Sequence, residues 1–152
     1  MKIEYSGLRE VVRREEADKP QAGAIVVKGS GQRRRFLLVT NMAGDRWIFP
    51  KGTVKKKETS EEAAEREAEE EAGVKARVVA YVGGIEMQED DELVRIDYFL
   101  LVAEEENDME EDRKKKWCAP DEIMDLVHTP EICALIETAL PDIMAFEIGA
   151  AR

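Results

Sequence analysis

The densest chemistry in the sequence lies in residues 52–74, GTVKKKETSEEAAEREAEEEAGV. Glu67, Glu70 and Glu71 stand three and four positions apart, so on a helix they share one face. Local signals call for a helix here. Thr59 and Glu62 form a T-x-x-E capping box at its start. Ala63, Ala64, Ala68 and Ala72 favour helix with little bulk, and Gly73 is placed to end it in a left-handed cap. Ala64, Ala68 and Ala72 form a small-residue stripe beside the glutamates. Such a stripe lets the helix lie close to a sheet or loop, which brings its carboxylates near Glu58 in the preceding loop. Like charges so placed repel unless a cation compensates them. Hard carboxylate oxygens suit Mg²⁺ or Mn²⁺ rather than zinc. The plain alternative is a solvated surface helix, and Glu61, Glu62, Glu65 and Glu69 are read as that solvated face.

Written as a skeleton, the stretch is Gly52, five residues, Glu58, seven residues, Arg66-Glu67-Ala68, one residue, Glu70-Glu71, one residue, Gly73-Val74. It resembles the Nudix box, G-x5-E-x7-R-E-U-x-E-E-x-G-U with U apolar, and meets every fixed position. Ala68 is smaller than the usual aliphatic residue at its U. The resemblance implies a loop–helix–loop that holds divalent metal, Mg²⁺ or Mn²⁺, against a substrate pyrophosphate. Under it, Glu67 and Glu71 map onto the main metal ligands, Glu70 onto a ligand or general base, and Glu58 onto a supporting position that sometimes acts through water. Arg66 maps onto an arginine tied to a box glutamate, which orients rather than reacts. Backbone carbonyls near Lys51 and Gly52 complete the metal's shell. The implied reaction is hydrolysis of a phosphoanhydride bond, with metal lowering the pKa of a water and a carboxylate accepting its proton during in-line attack. Charge stabilisation and positioning would supply most of the catalysis.

The resemblance extends from about Ala22 over most of the chain. AGAIVV, FLLV and DRWIFPKG stand in the order expected of the strands that lead into the box. The W-x-F-P-K-G lead-in, RKKKWCAPDEIMDLV and ETAL look like the branch of diadenosine polyphosphate and diphosphoinositol polyphosphate hydrolases. Within that branch Arg95, in VRIDYFLL, matches a substrate-phosphate contact; the alternative is a strand arginine paired with Asp97. Lys51 either reaches a phosphate or is a solvated loop lysine. Lys55-Lys56-Lys57 depart from the branch pattern, and as a run they are either solvated or an attraction for a highly anionic substrate, with Lys55 and Lys57 the candidates. Arg33-Arg34-Arg35 and Lys114-Lys115-Lys116 have a smaller claim on phosphate. Inositol-directed members carry extra bases before the first core strand, where Lys19 alone survives, and before the Trp, where TNMAG has none. That weakens the diphosphoinositol reading. Glu110, Glu111 and Asp112 are candidates for a base recruited from a later loop, set against simple solvation. His128 is read as structural, and Trp47 and Trp117 as core or rim.

These residues need a scaffold, and its elements are legible as a coarse pattern. Residues 22–27 and 36–39 read as a strand pair, Trp47-Ile48-Phe49 as a short strand stopped by Pro50 and Gly52, and 78–85 and 93–102 as two more strands. An acidic loop is expected over 104–112. Pro120 followed by DEIMDLV suggests a helix with Pro in its first turn. Residues 130–140 suggest another, with Ile132, Leu135, Ile136 and Ala139 on one face. Leu8, Val11 and Val12 suggest a short helix or a docking strand. The expected fold is α/β, a Nudix-type α/β/α sandwich with a mixed β-sheet between helices. Residues 1–19 are expected as an N-terminal extension, 20–145 as the Nudix hydrolase domain and 146–152 as a tail.

At 152 residues the chain fits one domain with a real core. Its formal net charge of −11 argues against binding to nucleic acid polymer or an anionic membrane, though a local basic site is compatible with it. Cys118 and Cys133 lie too far apart for a zinc cluster, and point to a reduced, cytoplasmic protein. No signal peptide or bilayer-length apolar run is expected. The expected protein is a monomer or homodimer that cleaves a nucleoside diphosphate-linked small molecule, with diadenosine polyphosphate the favoured substrate. The rivals are a diphosphoinositol polyphosphate phosphohydrolase and a non-catalytic nucleotide-binding Nudix module. The intact box argues against the last.

Overall fold

The strand β2 (Pro20–Lys28) shows why the central sheet is covered on both sides. Ala22, Ala24 and Val26 enter one core, while Ile25 and Val27 enter another on the opposite face. A strand buried on both faces reads as an unbroken apolar run, which is what AGAIVV is. β3 (Arg35–Thr40) divides likewise, with Leu37 and Val39 on the first face and Phe36 and Leu38 on the second. A computed structural model describes residues 2–9 and 20–148. Among them the other strands are β1 (Lys2–Arg9), β4 (Trp47–Ile48), β5 (Lys51–Thr53), β6 (Val74–Glu89), β7 (Glu92–Glu106) and β8 (Lys115–Cys118). The sheet runs β1-β6-β7-β2-β3-β4, with β5 paired to β2 and β8 to β3. β2 and β7 are parallel, from Pro20 opposite Arg95 to Val27 opposite Val102, and the remaining pairs are antiparallel.

The helix α1 (Ser60–Ala72) lies on the first face. The short α2 (Ile123–Leu126) and the longer α3 (Pro130–Ala145) lie on the second. The result is the expected α/β/α sandwich with a mixed sheet. The two helical layers are held differently. Besides Ala139, α3 buries Ile132, Leu135, Ile136 and Ile143, large aliphatic side chains whose removal from water is worth roughly 1.5–3 kcal/mol each. α1 buries alanines, which contribute far less apolar area but allow close approach. Among the described residues no helix is long and apolar enough to cross a membrane.

Several elements differ from the sequence reading. β5 pairs with β2 although Gly52 reads as a stop, because a short strand can tolerate glycine when its partner supplies the ladder. Phe49 lies just outside β4, and its ring packs edge-on against Tyr98. The acidic segment expected as loop from residue 104 is strand through Glu106, and β8 is a strand in what reads as a lysine run. DEIMDLV does not form one helix: a 3-10 turn (Pro120–Glu122) leads into the four residues of α2. α3 continues past Leu140 because Pro141 and Glu137 are exposed, so the carbonyl that proline leaves unbonded can face water. Residues 2–9 form the edge strand against β6, whereas Val11, Val12 and Lys19 lie outside the described residues. Trp47 packs on the α3-side core, Trp117 on the α1-side core, and His128 is exposed between α2 and α3.

Arg34 is the middle residue of Arg33-Arg34-Arg35, and it is buried rather than free for a phosphate. Its Nη1 donates to the carbonyls of Ile143 and Phe146, both at 2.7 Å, and its Nε to Gly29 O at 3.0 Å. It thus caps carbonyls at the end of α3, where, among the described residues, Ile143 O otherwise has only the long 3.3 Å bond from Phe146 N. Arg34→Ala should cost about 2–4 kcal/mol, measured by denaturant unfolding, because it removes three charge-assisted hydrogen bonds that tie the end of α3 to the turn at Gly29.

Candidate active site

The local chemistry of α1 is what its sequence asks for. Thr59 accepts from Glu62 N at 3.1 Å, Glu62 accepts from Thr59 N at 2.9 Å, and Gly73 closes the helix at φ 67°. Ala63, Ala64, Ala68 and Ala72 are fully buried against the first face of the sheet. Lys115 Nζ donates to Ala72 O at 2.9 Å, a cation at the negative end of the helix dipole. Glu65 is not a solvated glutamate: it accepts from Val78 N at 2.9 Å, where the β6–β7 register shifts and a backbone N–H is left over.

Arg66 gathers the carboxylates. Its Nε meets Glu58 Oε2 at 2.7 Å, Nη2 meets Glu58 Oε1 at 3.0 Å, and Nη1 reaches Glu67 Oε2 at 2.9 Å and Glu70 Oε1 at 3.1 Å. Nη2 also donates to Thr53 O at 3.0 Å, which ties the loop before the helix to the helix itself. The bidentate contact with Arg66 holds the Glu58 carboxyl below the usual carboxylate range, and it raises Arg66 in turn. Glu71 is different. It is buried, its Oε1 has no hydrogen-bond partner among the described residues, and burial pushes its pKa up to about 8, helped by the adjacent Glu67 carboxylate.

The loop before α1 fits around these groups. A Cβ on Gly52 would collide with the Glu67 carboxylate, so only glycine lets the β5 backbone touch it. Lys55 N donates to Glu58 Oε1 at 2.9 Å, and Lys57 takes the left-handed conformation at φ 69° in the turn between them. Lys55, Lys56 and Lys57 are exposed. Lys51 Nζ lies 3.1 Å from Gln21 Oε1 and 3.0 Å from Glu89 Oε2. Arg95 bonds Asp97 Oδ1 at 3.0 Å and the Tyr81 hydroxyl at 3.3 Å, and lies 3.5 Å from Glu4. Its guanidinium rests on Gly84, where a Cβ would clash. The structure therefore brings Glu58, Arg66, Glu67, Glu70, Glu71 and Gly52 together. It places Lys51 and Arg95 in separate ion-pair networks on strands β5 and β7.

One cation at this site escapes the sequence reading. Arg113 has its Nε 2.7 Å from Glu111 Oε1, its Nη1 2.9 Å from Thr40 O, and its Nη2 3.8 Å from Glu71 Oε2. No periodicity marks it, because it approaches from a loop forty residues beyond the helix. Glu110 lines a cavity of roughly 380 Å³ with Arg66, Glu69, Glu70, Asn107 and Asp108.

The donor set suits a hard divalent ion. All side-chain donors are carboxylates, and a buried glutamate oxygen without a partner sits beside a second carboxylate. Among the described residues no three acidic, histidine or cysteine side chains form a ready cage, since Glu58, Glu67 and Glu70 all engage Arg66. The residues that would hold the ion are Glu67 and Glu71, with Glu58 and Glu70 freed in part from the arginine. Gly52→Ala tests the close fit: it should lower Mg²⁺-stimulated turnover about 10- to 100-fold while leaving the denaturant midpoint nearly unchanged.

Comparison with known proteins agrees with this architecture. The model of the NUDIX domain family matches residues 18–136. The fold is similar to that of a C. elegans Ap4A hydrolase in a binary complex, at TM-score 0.72 and 20% identity, covering 84% of this chain and 99% of that one. It is similar to the E. coli ORF135 protein, at TM-score 0.63 and 22% identity over 78% and 86% of the two chains. The MutT protein from Methanosarcina mazei Go1 gives TM-score 0.66 and 18% identity over 79% and 91%. A sequence comparison with curated proteins gives no match. With the box residues intact and a family match over most of its length, the chain belongs to the Nudix domain family, as a pyrophosphate hydrolase of that family.

Proposed function

We propose that the protein is a Mg²⁺-dependent hydrolase of a nucleoside diphosphate-linked substrate, with diadenosine polyphosphate the favoured one. The observation that carries the reading is the carboxylate cluster around Arg66, with the unpartnered oxygen of Glu71 beside Glu67. Glu67 and Glu71 hold the metal, Glu58 and the backbone at Gly52 support it, and Glu70 is a further ligand or the base. Mg²⁺, or Mn²⁺ in its place, supplies neutralisation of phosphate charge and acidification of a water. Arg66 keeps the carboxylates in register by neutralising their mutual repulsion. Glu70, or a loop acid such as Glu110 or Glu111, takes the proton of the attacking water as the phosphoanhydride bond breaks. Two phosphorylated products leave.

The substrate reading draws on the sequence resemblance and on the similarity in fold to an Ap4A hydrolase. Lys55 and Lys57, exposed beside the cluster, would attract a polyanion. Lys51 and Arg95 would reach phosphate by exchanging their present carboxylate partners for it. The Nudix domain proper spans residues 20–145, with residues 2–9 adding an edge strand to its sheet; it acts in the cytoplasm as a monomer or homodimer, and takes small molecules rather than nucleic acid or membrane as its partner.

Two measurements test the reading. Glu71→Gln should abolish Mg²⁺-dependent turnover with the unfolding transition retained; full activity in that variant would remove Glu71 from the metal site. Diadenosine polyphosphate and diphosphoinositol polyphosphate should then be compared under Mg²⁺ in ¹⁸O-labelled water. Turnover of the first, with label in one phosphorylated product, is expected, and turnover of the second alone would transfer the protein to the inositol class.

A further inference from the structure

The segment between β7 and β8 is anchored at both ends. At the first end, Asn107 N donates to Gly73 O at 2.6 Å, which fastens the chain to the C-terminus of α1. At the second, Lys114 N donates to Thr40 Oγ1 at 3.1 Å and Thr40 N to Lys114 O at 3.0 Å, which zips it to the end of β3. Between the anchors stand the acids Asp108, Glu110, Glu111 and Asp112; Asp108 and Glu110 line a cavity with Glu69 and Glu70 of α1, and Glu111 lies near Glu71. Repulsion should drive such a segment away from α1. Something must hold it down.

Arg113 is placed to do so. Its side chain is 9% exposed, and it lies between Glu71, 4% exposed, and Glu111, 33% exposed. Burying a guanidinium costs several kcal/mol unless its donors are satisfied. Here Nε donates to Glu111 and Nη1 to Thr40 O, and Nη2 lies 3.8 Å from Glu71 Oε2. Without Arg113, Glu71 would face the carboxylates of Glu67 and Glu111 with no cation near it. The fork shape matters, because it lets one side chain hydrogen-bond Glu111 and Thr40 O while its third nitrogen keeps an ion-pair distance of 3.8 Å to Glu71.

We propose that Arg113 is a positioning residue that latches the 107–114 segment to Glu71 and so holds Glu111 at the edge of the carboxylate cluster. The proposal rests on the hydrolase reading for its consequence in catalysis, but the latch itself is a property of the folded chain. Glu111, and not Glu110 on the cavity side, is then the loop acid whose position depends on a single cation.

The test uses the full chain, with Arg113→Lys, Glu111→Gln and the double variant, each verified as folded by its unfolding transition. Hydrogen exchange of the 107–114 amides, read without metal or substrate, should accelerate about 10-fold or more in either single variant, and no further in the double one. Calorimetric titration with Mg²⁺ should show the two substitutions changing affinity non-additively. With diadenosine polyphosphate, kcat should fall about 10- to 100-fold in Arg113→Lys with KM nearly unchanged, and Glu111→Gln should cost little more in that background. Unchanged exchange in both folded single variants, or fully additive effects on exchange and Mg²⁺ affinity, would overturn the latch. If the wild-type chain hydrolyses no diphosphate substrate, the hydrolase reading fails while the exchange and calorimetry still decide the latch. Glu111→Gln retains Arg113, so it keeps the test open should Arg113→Lys fail to fold.

Discussion

Four glutamates drawn from one helix and the loop before it repel one another, and the architecture of this protein is organised around making that repulsion tolerable. Arg66 is the centre of the solution. It binds Glu58 with two nitrogens, touches Glu67 and Glu70 with a third contact point, and fixes Thr53 O in the approaching loop. A lysine could neutralise the same charge, but it could not fix the relative orientation of three carboxylates and a carbonyl. Glu71 lies outside that arrangement. It is the most buried carboxylate of the group, it keeps an oxygen without a partner, and its nearest cation arrives from a distant loop. The cluster is therefore balanced but incompletely neutralised, which is the electrostatic condition that favours a divalent ion.

Small residues provide the geometry that charge alone cannot. The alanine face of α1 brings the helix axis close to the sheet, and Gly52 removes the one Cβ that would push the Glu67 carboxylate away. Gly73 turns the chain in a left-handed conformation and brings the helix end against Asn107. The other layer is held by large aliphatic side chains on α3, and it carries no box residue. Packing strength and chemical precision are thus separated onto opposite faces of the sheet.

Much of the candidate site is legible in the sequence, because its logic is local. Caps, alanine stripe and glutamate spacing all lie within residues 52–74, and a helix obeys such signals closely. The doubly buried strands are legible for the same reason, as apolar runs. What escapes is non-local. Glu65 reads as solvated because nothing in its own helix reveals that a shifted strand register leaves Val78 N in need of an acceptor. Arg34 reads as one of three clustered arginines, yet two of its three carbonyl partners lie more than a hundred positions away. Arg95 pairs with Asp97, the neighbour two positions along its own strand that the sequence offers as its alternative partner, whereas the Glu89 partner of Lys51 lies 38 positions away and leaves no local mark. Arg113 is invisible for that reason too. Short elements such as β5 and β8 are set by what lies beside them, and composition gives them no mark.

The parallel pairing of β2 with β7 has a consequence for the order in which the molecule can be built. The paired residues lie about 75 positions apart, so closing that ladder carries a loop-closure cost that no local contact repays in advance. α1 has its own caps and can begin to wind as soon as residues 59–73 exist. Its alanine face packs on Ala22, Ala24 and Val26 together with Phe99 and Leu101, and that surface is complete only when β7 has docked. On a growing chain, the helix precedes the floor it needs. Until the floor arrives, the glutamates on the wound helix stay hydrated, so Glu67 and Glu71 lose their water only as the core closes around them.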